Sequence, residues 1–138
     1  MSDYVVKIDM NTEFQKAISG AKTAGDQRDF VYDFIMNNLR GKHIASDGRV
    51  VEICEATADK FIHRAPEIKL RVVAELQNML KFCYLRNVVD VDHKIFNKFV
   101  YYDVVFQVDD KKYIGTLNVG VRKDGASVLY DMKPYNEI

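Results

Sequence analysis

The sequence predicts an α+β domain, in which helices and a β-hairpin precede a C-terminal antiparallel β-meander. Residues 99–133 are rich in Val, Tyr and Phe, which fit a pleated, half-buried surface. Asp109-Asp110 and Lys123-Asp124-Gly125 divide this stretch into three strands, and Asp-Gly favours a tight turn. Upstream, apolar residues recur at helical spacing. Helices before a terminal sheet indicate a sheet packed by helices.

The N-terminal half begins with a short apolar alternation at residues 4–8, followed by a helical turn at 13–18. A chain of 138 residues predicts one domain. We expect residues 1–25 to form an N-terminal extension and residues 26–133 to form the core. Within that core, residues 26–40 predict a helix that Gly41 ends.

The middle of the chain predicts a hairpin and two helices. Extended runs at residues 42–45 and 49–53 flank Ser46-Asp47-Gly48, which has the composition of a hairpin turn. Residues 55–65 predict a short helix ended by Pro66. Residues 67–84 predict the longest helix, and residues 88–98 a connection to the meander.

Composition excludes several classes of function. The formal net charge is zero, which argues against holding nucleic acid by bulk charge but leaves room for a local basic patch. No apolar run is long enough to span a membrane, and the first residues do not predict a secretion signal. We therefore expect a cytoplasmic protein in which Cys54 and Cys83 are reduced core thiols, although a disulfide or a nucleophile remains open.

The sequence offers no cofactor motif and weak metal signals. It contains no phosphate-binding loop, no paired-cysteine motif and no His-x-x-x-His, so we expect neither a cofactor nor a metal. Asp90 and Asp92 beside His93 are compatible with a divalent cation, but also with a solvated turn.

Two sets of polar residues are candidates for binding or catalysis. Lys60, His63 and Arg64 fall on one face of the predicted helix 55–65, where they can hold a phosphodiester, and a histidine can exchange protons near neutral pH. The alternative is an ordinary solvated basic helix face.

The second set lies on the non-core face of the predicted meander. Tyr101, Thr116, Asn118 and Arg122 share this face by alternation. Such a face can bind RNA by stacking and hydrogen bonding. It can equally be the ordinary polar outside of a sheet.

The order of these elements resembles a known family. The hairpin with Asp47-Gly48 in its turn, the following helix with Lys60, the long helix to Tyr84 and a last strand with Tyr130-Asp131 come in the same order. They resemble small domains attached to large polyvalent proteins of phages and other mobile elements. Those domains are grouped with the barnase–EndoU–colicin–RelE superfamily of metal-independent RNases. The resemblance covers about residues 26–133.

The resemblance implies RNA cleavage by attack of the 2′-hydroxyl on the adjacent phosphate, with a general base and a general acid. Lys60 would occupy the family's lysine position, and His63 or His93 would be the acid or base. Arg122 would stabilise the developing charge. Thr116 and Tyr130 would position the phosphate.

A second hypothesis is a non-catalytic protein-interaction module of a mobile element, which binds a host or partner protein. Neutral net charge, apolar strands and the lack of a sharp His/Glu/Arg constellation favour it. It predicts association through a sheet edge or an exposed aromatic patch.

Overall fold

A seven-stranded mixed sheet with helices against one face organises the chain in the computed structural model, which describes residues 4–138. The strands are β1 Val5–Ile8, β2 Gly41–Ile44, β3 Val50–Ile53, β4 Tyr84–Asp90, β5 Phe96–Val108, β6 Lys111–Arg122 and β7 Ser127–Glu137. The helices are α1 Glu13–Gly20, α2 Ala24–Phe34, α3 Glu55–Ile62, α4 Glu67–Arg71 and α5 Leu76–Phe82. A π-helical turn, Ile35–Leu39, extends α2, and a 3₁₀ turn, Val72–Glu75, joins α4 to α5. None of these helices is long and apolar enough to cross a membrane.

The strand order is β1-β5-β6-β7-β3-β2, and β4 also pairs with β5. The α+β class is confirmed, but the sheet is mixed, because β1 runs parallel to β5 and β3 runs parallel to β7. The remaining pairs are antiparallel. Helices lie between the strands of each parallel pair in the sequence, and such pairs need long connections. The prediction from turn residues could pair only strands that are neighbours in sequence, so it did not include the two parallel pairs.

The core lies between the helices and one face of the sheet. Alternate residues of β5, Val100, Tyr102, Val104 and Phe106, are buried on that face. Residues 4–25 contribute to the same core through buried side chains of β1 and α1. They are Val6, Ile8, Phe14 and Ile18. The strand β1 pairs with a strand that is distant in sequence, because Val5 lies opposite Val105 of β5.

Two predictions for the middle of the chain are wrong. The helix predicted at residues 67–84 is interrupted, because Glu75 has φ −109° and ψ 12° between the 3₁₀ turn and α5. The connection predicted at residues 88–98 instead contains the last residues of β4, from Val88 to Asp90, and the first residues of β5. All residues from Leu85 to Asp90 are exposed, so this strand has no buried face and no alternation that a sequence reading can detect.

Two buried cations connect the helices to each other and to the sheet. Lys69 Nζ of α4 lies 2.6 Å from Asp131 Oδ1 of β7, and both side chains are buried. The same Asp131 oxygen accepts the Met132 backbone N–H at 2.8 Å. Arg71, also of α4, donates to the Gln15 carbonyl and side-chain oxygens of α1 at 3.3 and 3.0 Å. These bonds fix α4 between α1 and the last strand.

A buried tyrosine connects the centre of the sheet to the β2–β3 turn. The Tyr102 hydroxyl donates to the Asp47 carboxylate, at 3.1 and 3.0 Å from its two oxygens. Burial, reinforced by the negative charge of Asp47, raises the pKa of Tyr102 to about 12.

We expect the Tyr102 hydroxyl to make the free energy of unfolding depend on pH in the alkaline range. A tyrosine in the unfolded chain has a pKa of about 10, so the unfolded state loses this proton first. Its contribution to the free energy of unfolding is complete below about pH 10 and is lost as the pH rises to about 12. Urea unfolding from about pH 8 upward, compared with Tyr102→Phe, isolates this contribution from lysine titration. The stability deficit of the variant should shrink above about pH 10, and a pH-independent deficit would contradict the assignment.

Candidate nucleic-acid interface

Five rings form a contiguous group on the sheet face opposite the core. We call His93, Phe96, Phe99, Tyr101 and Tyr130 the aromatic cluster. Phe99 and Tyr130 stack with their centroids 5.9 Å apart and an interplanar angle of 15°. Phe96 lies 5.1 Å from Tyr130 and His93, and Tyr101 lies 6.3 Å from Phe99. All but Phe96 are half-buried, so their rings support one another and still reach solvent.

Local irregularities of the strands assemble the cluster. Alternation along β5 places Phe99 and Tyr101 on the same face, and a register shift between Phe96 and Lys98 lets Phe96 join them. In β7, Tyr130 is the extra residue of a bulge, because Asn118 pairs with Asp131 and Val119 pairs with Leu129.

Gly120 of β6 makes room for Phe96. A Cβ on Gly120 would lie 2.6 Å from Phe96 Cε1, which is closer than packed atoms approach. The glycine therefore lets the Phe96 ring lie directly on the backbone of β6, and this contact sets the floor of the cluster.

Cations lie at both ends of the cluster. Lys60 of α3 places Nζ 4.9 Å from the centre of the Tyr130 ring. Arg86 of β4 places Cζ 5.8 Å from the centre of the Tyr101 ring. Both distances are within the range of cation–π attraction. A row of rings with a cation at each end presents stacking surfaces between two positions for phosphate groups.

Two buried carboxylates of the strands that carry the cluster, Asp103 and Asp131, are compensated. Asp103 accepts a 2.8 Å hydrogen bond from Thr116 Oγ1 and lies 3.6 Å from Arg86 Nε. Asp131 is paired with Lys69, and Lys133 lies 3.9 Å from its other oxygen. Each of these two buried carboxylates therefore has a cation within 4 Å.

His93 is oriented by the backbone. Its Nδ1 accepts the N–H groups of Ile95 at 3.0 Å and Phe96 at 3.4 Å. The neutral ring therefore carries its hydrogen on Nε2, which makes that nitrogen a donor. In this arrangement His93 has no free ring nitrogen to accept a proton, which suits hydrogen bonding to a ligand better than general-base catalysis.

The structure brings Lys60, Tyr130 and His93 together, three of the residues predicted for the site. His63 lies just beyond the end of the helix that carries Lys60. The α3 helix ends at Ile62, His63 is extended, and Arg64 has φ 51°. The prediction that Lys60, His63 and Arg64 share one helical face is therefore wrong, because the chain leaves the helix before Pro66.

The other predicted residues have different environments. Thr116 is buried and its hydroxyl is used by Asp103, so it does not contact solvent. Arg122 lies opposite Phe96 in the register, at the end of β6 and next to the cluster. Tyr101 pairs with Asn118, as the predicted shared face requires, and the buried Asn118 Oδ1 has no hydrogen-bond partner among the described residues.

The remaining candidates are not assembled into a site. Residues 4–138 contain no group of three or more His, Cys, Asp or Glu side chains that could hold a metal ion. Cys54 and Cys83 are free thiols, and burial raises the pKa of Cys83.

Sequence reasoning missed Arg86 and the rings of Phe96 and Phe99 as functional candidates. The alternation of Phe99 with Tyr101 was visible, and an aromatic pair on a non-core face was a usable signal. Arg86 has no such signal, because it lies between the helix predicted at residues 67–84 and the connection predicted at residues 88–98, where no strand is predicted. Comparison of the chain with protein-family models, curated proteins and solved structures gives no match.

Proposed function

We propose that the protein binds single-stranded RNA on the aromatic cluster, as a domain of a phage or other mobile element. The observation that carries the proposal is the row of stacked, half-exposed rings between Lys60 and Arg86. Proteins that bind single strands combine such rings, on which bases stack, with cations that follow the phosphates. The choice of RNA rests on the resemblance to metal-independent RNases.

Binding has stronger geometric support than cleavage. The cleavage hypothesis needs a base and an acid beside Lys60, and His93 is the histidine near that lysine and Tyr130. Its Nδ1 is engaged by two backbone N–H groups, so cleavage would require these bonds to open. The proposed roles are therefore a stacking platform for Tyr130 and Phe99, phosphate contacts for Lys60 and Arg86, and a hydrogen-bond donor for His93.

The test is fluorescence anisotropy with a labelled oligouridine, in EDTA, followed by a denaturing gel of the same samples. Tyr130→Ala should weaken binding by roughly 10-fold, because stacking of one base contributes about 1–3 kcal/mol. Tyr130→Phe keeps the ring and should bind as the parent does. Lys60→Ala should weaken binding and lower the slope of log K against log salt by about 0.7.

Matched controls make the result specific. Lys16→Ala removes an exposed lysine of α1 and should leave both the affinity and the salt slope unchanged. Absence of binding by the parent, or equal affinities for the parent and Tyr130→Ala, would contradict the proposal. Intact RNA on the gel would support binding alone, and cleavage in EDTA that is lost in Lys60→Ala would support the RNase hypothesis.

The second candidate function is the non-catalytic protein-interaction module that binds a host or partner protein. The specific observation that favours it is β4, an edge strand with exposed Leu85, Val88 and Val89. A free strand edge can accept a strand of another chain.

A further inference from the structure

The β4 strand exposes apolar side chains on both of its faces. Val88 lies opposite Val100 and Val89 lies opposite Phe99, so the two valines point to opposite sides of the sheet. They are 47% and 39% exposed, respectively. Among residues 4–138, β5 is the strand that β4 pairs with, which leaves the other edge of β4 without a neighbouring strand.

This edge lacks the usual protection against pairing in its central part. Edge strands of folded proteins usually carry lysines, prolines or inward charges that prevent another strand from joining. The centre of β4 is instead Asn87-Val88-Val89, which carries no charge. Its charges flank this centre, with Arg86 before it, at the register shift between Leu85 and Asn87, and Asp90 and Asp92 at or just beyond the end of the strand.

The backbone groups at the free edge can be identified from the pairing with β5. The Val91 N–H donates to the Asn97 carbonyl, and the register from Asn87 to Asp90 continues without a shift. In an antiparallel pair, hydrogen-bonded and non-hydrogen-bonded residues alternate. Val89 and Asn87 therefore bond to β5, and the N–H and C=O groups of Val88 and Asp90 point to the free edge.

We propose that β4 pairs antiparallel with β4 of a second copy of this chain. The outward groups of Val88 and Asp90 allow two registers, one with the twofold axis at Val88 and one with the axis at Val89. The first places Arg86 opposite Asp90 of the other copy, and the second places Arg86 opposite Asp92. Either register brings opposite charges together and places one valine opposite its own copy, Val88 in the first and Val89 in the second. A parallel arrangement would instead place like charges opposite each other.

The charge pattern selects a second copy as the occupant. The strand is complementary to its own reverse, positive at one end and negative at the other, and copies with zero net charge do not repel each other. The twofold axis of such a pair is perpendicular to the sheet, so both Tyr101 side chains lie on the same side. The dimer therefore joins two aromatic clusters into one surface, which goes beyond RNA binding by a single copy.

The first test is sedimentation velocity of the full chain without RNA, from about 1 to about 300 µM, a range that covers transient interfaces of small area. The parent should form a dimer within this range. Val88→Lys should remain a monomer throughout. The control is Val50→Lys, which places the same charge at a site 51% exposed on another strand and should dimerise as the parent does. A monomeric parent, or a dimeric Val88→Lys, overturns the proposal.

The second test identifies the register by oxidation of one introduced cysteine at a time, in a Cys54→Ser background whose remaining thiol, Cys83, is buried. Val88→Cys should form a disulfide dimer if the axis lies at Val88, and Val89→Cys should do so if it lies at Val89. Leu85→Cys is the control and should not cross-link in either register. If the chain dimerises but cross-links at neither valine, the dimer uses another surface, and the proposed pairing is overturned. RNA binding by the monomeric Val88→Lys variant keeps the two proposals separable.

Discussion

Replacing Lys69 by methionine is expected to lower the free energy of unfolding by about 3–5 kcal/mol, the usual cost of removing one partner of a buried ion pair. The Asp131 carboxylate, already buried, would keep the Met132 N–H but lose its cation at 2.6 Å. Urea unfolding followed by circular dichroism measures this change. A loss of this size is a large part of the stability of a typical domain.

The control for Lys69 is Lys133, the other cation near Asp131. Lys133 Nζ lies 3.9 Å from Asp131 Oδ2, but its side chain is 70% exposed, so Lys133→Met should cost less than about 1 kcal/mol. The double variant Lys69→Met/Asp131→Leu should recover much of the loss, since neither buried charge remains. Equal costs for Lys69→Met and Lys133→Met would show that burial does not determine the strength of this pair.

Replacing Arg71 by methionine is expected to lower the free energy of unfolding by about 2–3 kcal/mol. The change removes the bonds from the guanidinium to Gln15 and to Ser19 Oγ, the latter at 2.9 Å, and leaves the buried Gln15 oxygens without this donor. Because these bonds hold α1 against α4, amide hydrogens of α1 should exchange faster in the variant than those of β6. Hydrogen exchange with mass spectrometry measures the difference.

Glu67 provides the matched control for Arg71. Its carboxylate accepts from Arg71 at 3.1 Å but is 53% exposed, so Glu67→Gln should cost less than about 1 kcal/mol and leave exchange in α1 unchanged. If Glu67→Gln destabilised the protein as much as Arg71→Met, the exposed ion pair would be the important contact and not the buried bonds to α1.

Local signals in the sequence predict part of this fold and part of the candidate site. Ser46-Asp47-Gly48 correctly predicts the turn between β2 and β3, because the chemistry of a tight turn is contained within a few residues. The alternation that placed Tyr101 and Asn118 on one face is confirmed by their pairing in the register. Period-2 alternation is a direct consequence of strand geometry, so the face on which a residue lies can be predicted without knowing the partner strand.

Features that depend on distant parts of the chain could not be predicted in this way. Lys60 contacts Tyr130 because α3 packs along β7. Tyr130 joins the cluster because it lies in a bulge of β7, and no residue type in the sequence predicts that bulge. Lysine is a residue type expected at an exposed position of a helix. The burial of Lys69 is explained by its ion pair with Asp131, which is 62 residues away in sequence. The parallel pairs of β1 with β5 and of β3 with β7 connect segments that share no local pattern.

The parallel pairing of β1 with β5 also determines the order of events during synthesis. Val5 cannot pair until Val105, about a hundred residues later, has been synthesised, and β3 likewise cannot pair with β7 until β7 has been made. Ribosomes add roughly 5–20 residues per second, so α1 to α5 emerge seconds before the strands that cover their apolar sides. The N-terminal half therefore leaves the ribosome before β5, β6 and β7 are available to pack against. The core can be completed only when the last three strands have been made, so we expect apolar segments of the nascent chain to stay exposed until then.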